Sequence, residues 1–273
     1  MATWGIIPAA GAGTRIQPLA FSKELLPVGS RIDRGVERPR AVSEFVVERL
    51  VAGGADRIVF VISAGKSDIV QYFGGEVERV PVCYVVQARP AGLCDAVFTA
   101  SPLVRDDDRV LIALPDTVWF PADGLRHLPH DRLALLLFPV ASPELFDAVV
   151  TTLDERVIEI QVKQPRPTSN WVWGSIGMPG AVLHALRRLW IERSRRDEYL
   201  GSLFNAYLAA GGRASGVRAG QAYVDVGTLH GYREALRLLQ QPMAAARSQD
   251  TAASASEARS ALSVNDSDSE LTQ

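Results

Sequence analysis

The chain has 273 residues, 47% hydrophobic and 22% charged, with 29 Lys and Arg against 31 Asp and Glu for a formal net charge of −2. These proportions exclude collagen-like, disulfide-dense and wholly disordered chains, and without bulk positive charge general nucleic-acid binding is not expected. Two cysteines, Cys83 and Cys94, make neither a disulfide framework nor a four-cysteine zinc site, so a reduced cytoplasm is the expected compartment.

From the N-terminus, short apolar runs predict strands over residues 3–8, 57–63, 80–87, 109–113 and 133–140, each suited to burial on both faces. Val42, Phe45, Val46 and Leu50 fall at i, i+3, i+4 and i+8. That spacing predicts a helix over 41–52, stopped by Gly53-Gly54. Further helices are expected over 67–73, 92–100 and 229–239. Strands alternating with helices imply crossover connections and an α/β fold on a mostly parallel sheet. From about residue 148 the rhythm changes. Strands at 148–152, 157–162 and 171–178, the first two turning at Asp154-Glu155, predict an added small sheet beside the first lobe. Helices over 180–192 and 200–210 and strands over 215–218 and 221–225 follow. After Pro242 large apolar side chains almost vanish, and 243–273 is expected to be a disordered acidic tail. The longest apolar run, 133–141, is far below the ~20 residues of a membrane span, and no basic signal-peptide region opens the sequence.

The first predicted strand runs into Pro8-Ala9-Ala10-Gly11-Ala12-Gly13-Thr14-Arg15. Successive N–H groups in such a loop form an anion-binding concavity, although the glycines alone fit a plain strand-to-helix turn better. The loop is not a Walker A motif, lacking Lys and then Ser or Thr after its last Gly, and not a dinucleotide fingerprint, lacking the third Gly. Arg15 and Lys23 follow within ten positions, on a segment stiffened by Pro18 and Pro27. Only three lysines, Lys23, Lys66 and Lys163, stand among the 29 basic residues. A retained lysine suits a place where a guanidinium does not fit. Lys66, opening the 67–73 helix on an expected exposed loop, is read as chance survival.

Gly11-Ala12-Gly13-Thr14-Arg15, Pro18-Leu19 and Ser22-Lys23-Glu24-Leu25-Leu26-Pro27-Val28 resemble the signature of the sugar-1-phosphate nucleotidylyltransferases, particularly the glucose-1-phosphate thymidylyl- and uridylyltransferases. Later segments agree in order, over residues 4–239. The resemblance implies a Rossmann-like three-layer αβα nucleotidyltransferase domain over 1–242, with a nucleotide-binding part to about 115 and a sugar-phosphate-binding part beyond. It implies an Mg²⁺-dependent enzyme that joins a sugar 1-phosphate to dTTP or UTP and releases pyrophosphate. On this resemblance Arg15 and Lys23 hold the triphosphate. Ala10, Gly11, Ala12, Gly13 and Thr14 bind nucleotide through backbone groups, and Gln87 and Gly92 read the base. Asp116 and Asp225 hold Mg²⁺, and Lys163 and Gly174 hold the sugar phosphate. The residues by themselves leave blander readings open: turns at 90–92 and 115–116, a strand-end cation at Lys163, a helix-cap neighbourhood at Asp225.

Two positions depart from the pattern. Val162 stands where the family has a Glu that contacts sugar hydroxyls, and Gln164 where it has Pro. Either the sugar is not glucose or another residue supplies the missing acceptor. The resemblance also implies loss of the C-terminal helices that some members use for assembly and regulation. A homo-oligomer is left open. So are a non-catalytic nucleotide-sugar-binding protein on the same fold and, further off, a Rossmann oxidoreductase.

Overall fold

Ile6 and Ile7 are adjacent and fully buried, yet they pack into different cores. The same split separates Leu111 from Val110 and Ile112, and Leu133, Leu135 and Leu137 from Ala134, Leu136 and Phe138. Side chains alternate across a strand, so this is a sheet covered on both faces, which is why its strands read as unbroken apolar runs.

The structure, a computed structural model, describes residues 1–89 and 91–240; the expected tail lies outside the described residues. The elements are β1 (Thr3–Pro8), β2 (Pro27–Asp33), β3 (Val36–Ala41), α1 (Val42–Ala52), β4 (Arg57–Ile62), α2 (Ser67–Phe73), β5 (Glu76–Val77), β6 (Val80–Val86), α3 (Gly92–Thr99), β7 (Arg109–Ala113), β8 (Thr117–Phe120), β9 (Leu133–Pro139), β10 (Asp147–Thr151), β11 (Val157–Val162), β12 (Trp171–Pro179), α4 (Gly180–Glu192), α5 (Leu200–Ala209), β13 (Ala214–Val217), β14 (Ala222–Asp225) and α6 (Leu229–Gln240).

Ten strands form one mixed sheet in the order β11-β10-β12-β7-β1-β4-β6-β5, with β9 pairing β12 and β13. Its centre, β7-β1-β4-β6, is parallel. β12 then joins β7 antiparallel. The strands expected as an added sheet region, β10 to β12, extend the central sheet on its β7 side. α3, α4 and α5 pack on one face and α1 and α2 on the other. No helix among the described residues is long and apolar enough to cross a membrane.

Two short ladders lie outside the main sheet, β2–β3 and β8–β14. The first turns through Arg34-Gly35, both at positive φ (49° and 80°), the twist that two-residue hairpins favour. A third, smaller core of Val28, Val42, Phe45, Val118, Val224, Val226 and Ala235 fastens both ladders and α6 against α1.

Candidate active site

Parallel strands leave their carboxyl ends on one edge, where the connecting loops open a crevice. The turns after β1, β6 and β7 deliver Ala10 and Gly11, Gln87, and Asp116 to one cleft of about 580 Å³, which Arg15, Lys23, Gly92, Lys163 and Asp225 also line.

Asp116 follows β7 and Asp225 ends β14, so they are far apart in the chain. The β8–β14 ladder pairs Asp225 with Thr117, and the Val226 N–H donates to the Asp116 carbonyl at 2.8 Å. Gly227 measures how closely they converge. A Cβ on it would lie 2.8 Å from Asp225 Oδ1, 3.0 Å from Asp116 Oδ2 and 3.0 Å from Arg15 Nη2. Burial first, and then the Asp116 charge, raise the Asp225 carboxyl above its usual range, against the opposing pull of the Gly227 N–H, Arg15 and Lys23. Two carboxylates aimed at one point favour a cation there. Magnesium accepts one or two carboxylates completed by phosphate and water, so this donor set fits it. Among the described residues no cluster of three or more His, Cys, Asp or Glu could hold a metal ion by itself. Gly227→Ala is a direct check. Its methyl would occupy the shared point by pushing aside side-chain ends rather than backbone. The expected result is a protein that melts within a few degrees of the parent but, titrated with Mg²⁺ by calorimetry, binds it much more weakly.

Lys23 is placed by Gly13. Gly13 has φ 66°, and a Cβ there would come within 2.7 Å of Lys23 Cδ, so both the turn and the passage of the lysine stem require glycine. Lys23 Nζ lies 2.5 Å from Asp116 Oδ2. Burial alone would push its ammonium down, but Asp116, with Glu24 and Asp225 behind it, more than offsets this and raises it. Arg15, on the single 3₁₀ turn Thr14–Ile16, reaches Asp225 Oδ2 at 3.3 Å and stays largely exposed. Lys163 sits just past β11 at φ 47°, and its Nζ donates to the Leu145 carbonyl at 2.9 Å. Gln87 is 6% exposed. Its Nε2 donates to Asp95 Oδ2 at 2.7 Å and to the Gly92 carbonyl at 3.3 Å.

Ala12, Gly13, Thr14 and Gly174 do not line the cleft. Gly174, expected at the sugar, stands one layer behind: a Cβ there would come within 2.5 Å of the Tyr223 ring and 2.7 Å of Phe138. It makes room for Tyr223, which does line the cleft. The reading of Lys66 needs correction. It is 8% exposed, and its Nζ donates to the Ala9 carbonyl at 2.6 Å and to both Glu24 carboxylate oxygens at 2.8 Å. The scarcity of lysine was the signal for it; the helix that follows hid it. Asp95, Asp147 and Tyr223 were not singled out from the sequence. Asp147, a charge at the head of an apolar run, was the most visible of the three.

A glucose-1-phosphate thymidylyltransferase from Mycolicibacterium smegmatis is 30% identical over 234 residues, 82% of this chain and 77% of the relative. A UTP–glucose-1-phosphate uridylyltransferase from Haloferax volcanii is 26% identical over 244 residues, 86% and 96%. The solved structure of UTP-bound UGPase from Acinetobacter baumannii shares the fold, with TM-score 0.70 and 21% identity over 92% of this chain and 98% of that one. The nucleotidyl transferase family model matches residues 4–242, a span that holds every strand end lining the cleft and both aspartates, and the chain belongs to that family.

Proposed function

We propose that the chain transfers the nucleotidyl group of UTP or dTTP to a sugar 1-phosphate, with Mg²⁺, and releases pyrophosphate. The observation that carries this reading is the convergence of Arg15, Lys23 and Lys163 with Asp116 and Asp225 on one cleft. Membership of the nucleotidyl transferase family supports the reaction class, and both thymidylyl- and uridylyltransferases occur among the relatives.

The attacking oxygen of a sugar phosphate is already anionic near neutral pH, so no general base is needed. A bond forms from that oxygen to the α-phosphorus, and the α–β bridging bond breaks, its electron pair leaving with pyrophosphate. The obstacle is repulsion. Two unit charges 4 Å apart cost about 4 kcal/mol at an effective dielectric of 20, and several pairs meet here. Placed cations therefore supply most of the catalysis. In this reading Lys23 and Arg15 steady the triphosphate and the departing pyrophosphate, and Lys163 holds the incoming phosphate. Asp116 and Asp225 would hold magnesium, which supplies charge neutralisation at the transferring phosphate.

Gln87 gives the base preference a physical basis. Asp95 can only accept, so it holds Nε2 and leaves Oε1 as an acceptor for a base. The N3–H of uracil or thymine satisfies it, whereas cytosine offers an acceptor there. Asp95→Ala leaves only the longer bond to the Gly92 carbonyl to hold the amide in that orientation. It should reduce the UTP or dTTP preference over CTP by about tenfold, the worth of one hydrogen bond, read as a ratio of kcat/KM values.

Pyrophosphate release, measured with Mg²⁺ across nucleoside triphosphates and sugar 1-phosphates, tests the reaction. Release with UTP or dTTP and at least one hexose 1-phosphate is expected. Binding of nucleotide sugar with no release from any pair would move the chain to the non-catalytic alternative.

A further inference from the structure

Asp147 is a carboxylate that the reaction above does not use. It opens β10, is 8% exposed, and lines the cleft with Phe146, Lys163 and Tyr223. Its Oδ1 accepts the Lys163 N–H at 3.3 Å. No salt bridge to it forms among the described residues, the Lys163 ammonium donating instead to Leu145. Burial raises its carboxyl above the usual range, opposed by the Lys163 charge. Directly across the β10–β11 ladder stands Val162, which offers no acceptor. Both side chains crowd the same helix: a Cβ on Gly201 of α5 would come within 2.7 Å of Val162 Cγ2 and 3.1 Å of Asp147 Oδ2. The hairpin thus carries one acceptor at this level of the cleft, on β10.

We infer that Asp147 is a specificity-determining residue: its carboxylate accepts hydrogen bonds from ring hydroxyls of the sugar whose 1-phosphate Lys163 holds. The inference rests on the reading of the cleft proposed above and deepens it. Ionised Asp accepts but does not donate, so the substrate must present free hydroxyls to it. A sugar acylated or deoxygenated there leaves a buried acceptor unpaired, the situation in which polar sites discriminate most strongly. A purely structural Asp147, supporting α5 or the Lys163 turn, would show no such dependence on the sugar's substituents.

The test titrates glucose 1-phosphate, its 2-, 3-, 4- and 6-deoxy analogues, and UTP into the full chain and Asp147→Ala by calorimetry, with KM measured wherever turnover is seen. The variant is expected to bind glucose 1-phosphate about 10–100-fold more weakly, the worth of one or two hydrogen bonds to a charged group. UTP affinity should stay within twofold. At least one deoxy analogue should bind parent and variant alike, because the bond it lacks is the one the variant removed. Parallel loss of UTP and sugar phosphate would overturn the inference, as would equal weakening of every deoxy analogue by the substitution. Should the alanine variant fail to fold, the near-isosteric Asp147→Asn is judged by the same pattern with a smaller loss. A parent that binds glucose 1-phosphate yet releases no pyrophosphate defeats the catalytic reading alone, and the analogue pattern still decides the role of Asp147. A parent that binds none of these glucose phosphates overturns the inference, while the catalytic reading stands or falls on pyrophosphate release across the wider set of sugar 1-phosphates.

Discussion

Lys23→Ala is expected to lower kcat by about 10²–10³-fold, the loss seen when one preorganised donor to a transition-state charge is removed. The lysine stem is wedged beside Gly13, its ammonium touches Asp116, and its charge is held firmly on by its carboxylate neighbours. Little reorganisation is left for the moment of reaction, so its charge is worth more there than on a mobile surface chain. Lys23→Arg should recover little, because the ammonium already lies 2.5 Å from Asp116 Oδ2 and a longer side chain with a larger planar head cannot take the same place. Steady-state kinetics with nucleotide varied at saturating sugar 1-phosphate decide the matter. A raised nucleotide KM with unchanged kcat would mean that Lys23 contributes uniform binding and not transition-state stabilisation.

Lys66→Met is expected to be the most damaging single change to stability, about 3–5 kcal/mol, the cost of breaking a buried ion pair on one side. All three ammonium hydrogens are spent, on Ala9 and on the two oxygens of Glu24, and Glu24 is fully buried. Methionine fills much of the space but leaves a carboxylate and a carbonyl without donors. For a fold of this size the drop in Tm is about 6–20 °C, measurable by calorimetry. Burial already lifts the Glu24 carboxyl while Lys66 pulls it down. Without the lysine the folded-state value rises further above the unfolded one. The carboxylate's share of the deficit is therefore absent below the unfolded carboxylate range and grows as the pH rises towards the folded value. The double change Lys66→Met with Glu24→Met should recover most of the loss, since apolar replacement of both partners is often neutral. A single variant melting within two degrees of the parent would refute the pair's importance.

Some of this architecture was open to reading from the residues. The central strands are flanked by core on both sides, so their apolar runs were unambiguous, and β1, β7, β11, α2 and α4 lie where their patterns put them. The β2–β3 hairpin was not legible because most of its residues face solvent and it shows no apolar alternation. β8 was missed because four residues, Thr117–Phe120, are too short to declare a period. Local pattern likewise could not join β12 to β7, a pairing set by long-range packing. The motif residues Arg15, Lys23, Gln87, Asp116, Lys163 and Asp225 do meet in one cleft. Gly174 lies behind it because its neighbour Tyr223 needs the space. Lys66 and Asp147 escaped because each is explained only by a partner distant in sequence, Glu24 for one and the strand opposite for the other.

The clasp between β8 and β14 has a bearing on how the molecule is made. The parallel centre of the sheet uses strands from the first half of the polypeptide, and these can pair while synthesis continues. The aspartate of β14 arrives only near residue 225, and its ladder is locked down by Val224, Val226 and Ala235. A nascent chain that has not yet released residue 225 would already own its glycine loop and both early cations, yet it could not gather the two carboxylates. The cleft is therefore completed last, by a segment far along the chain from the strands that frame it.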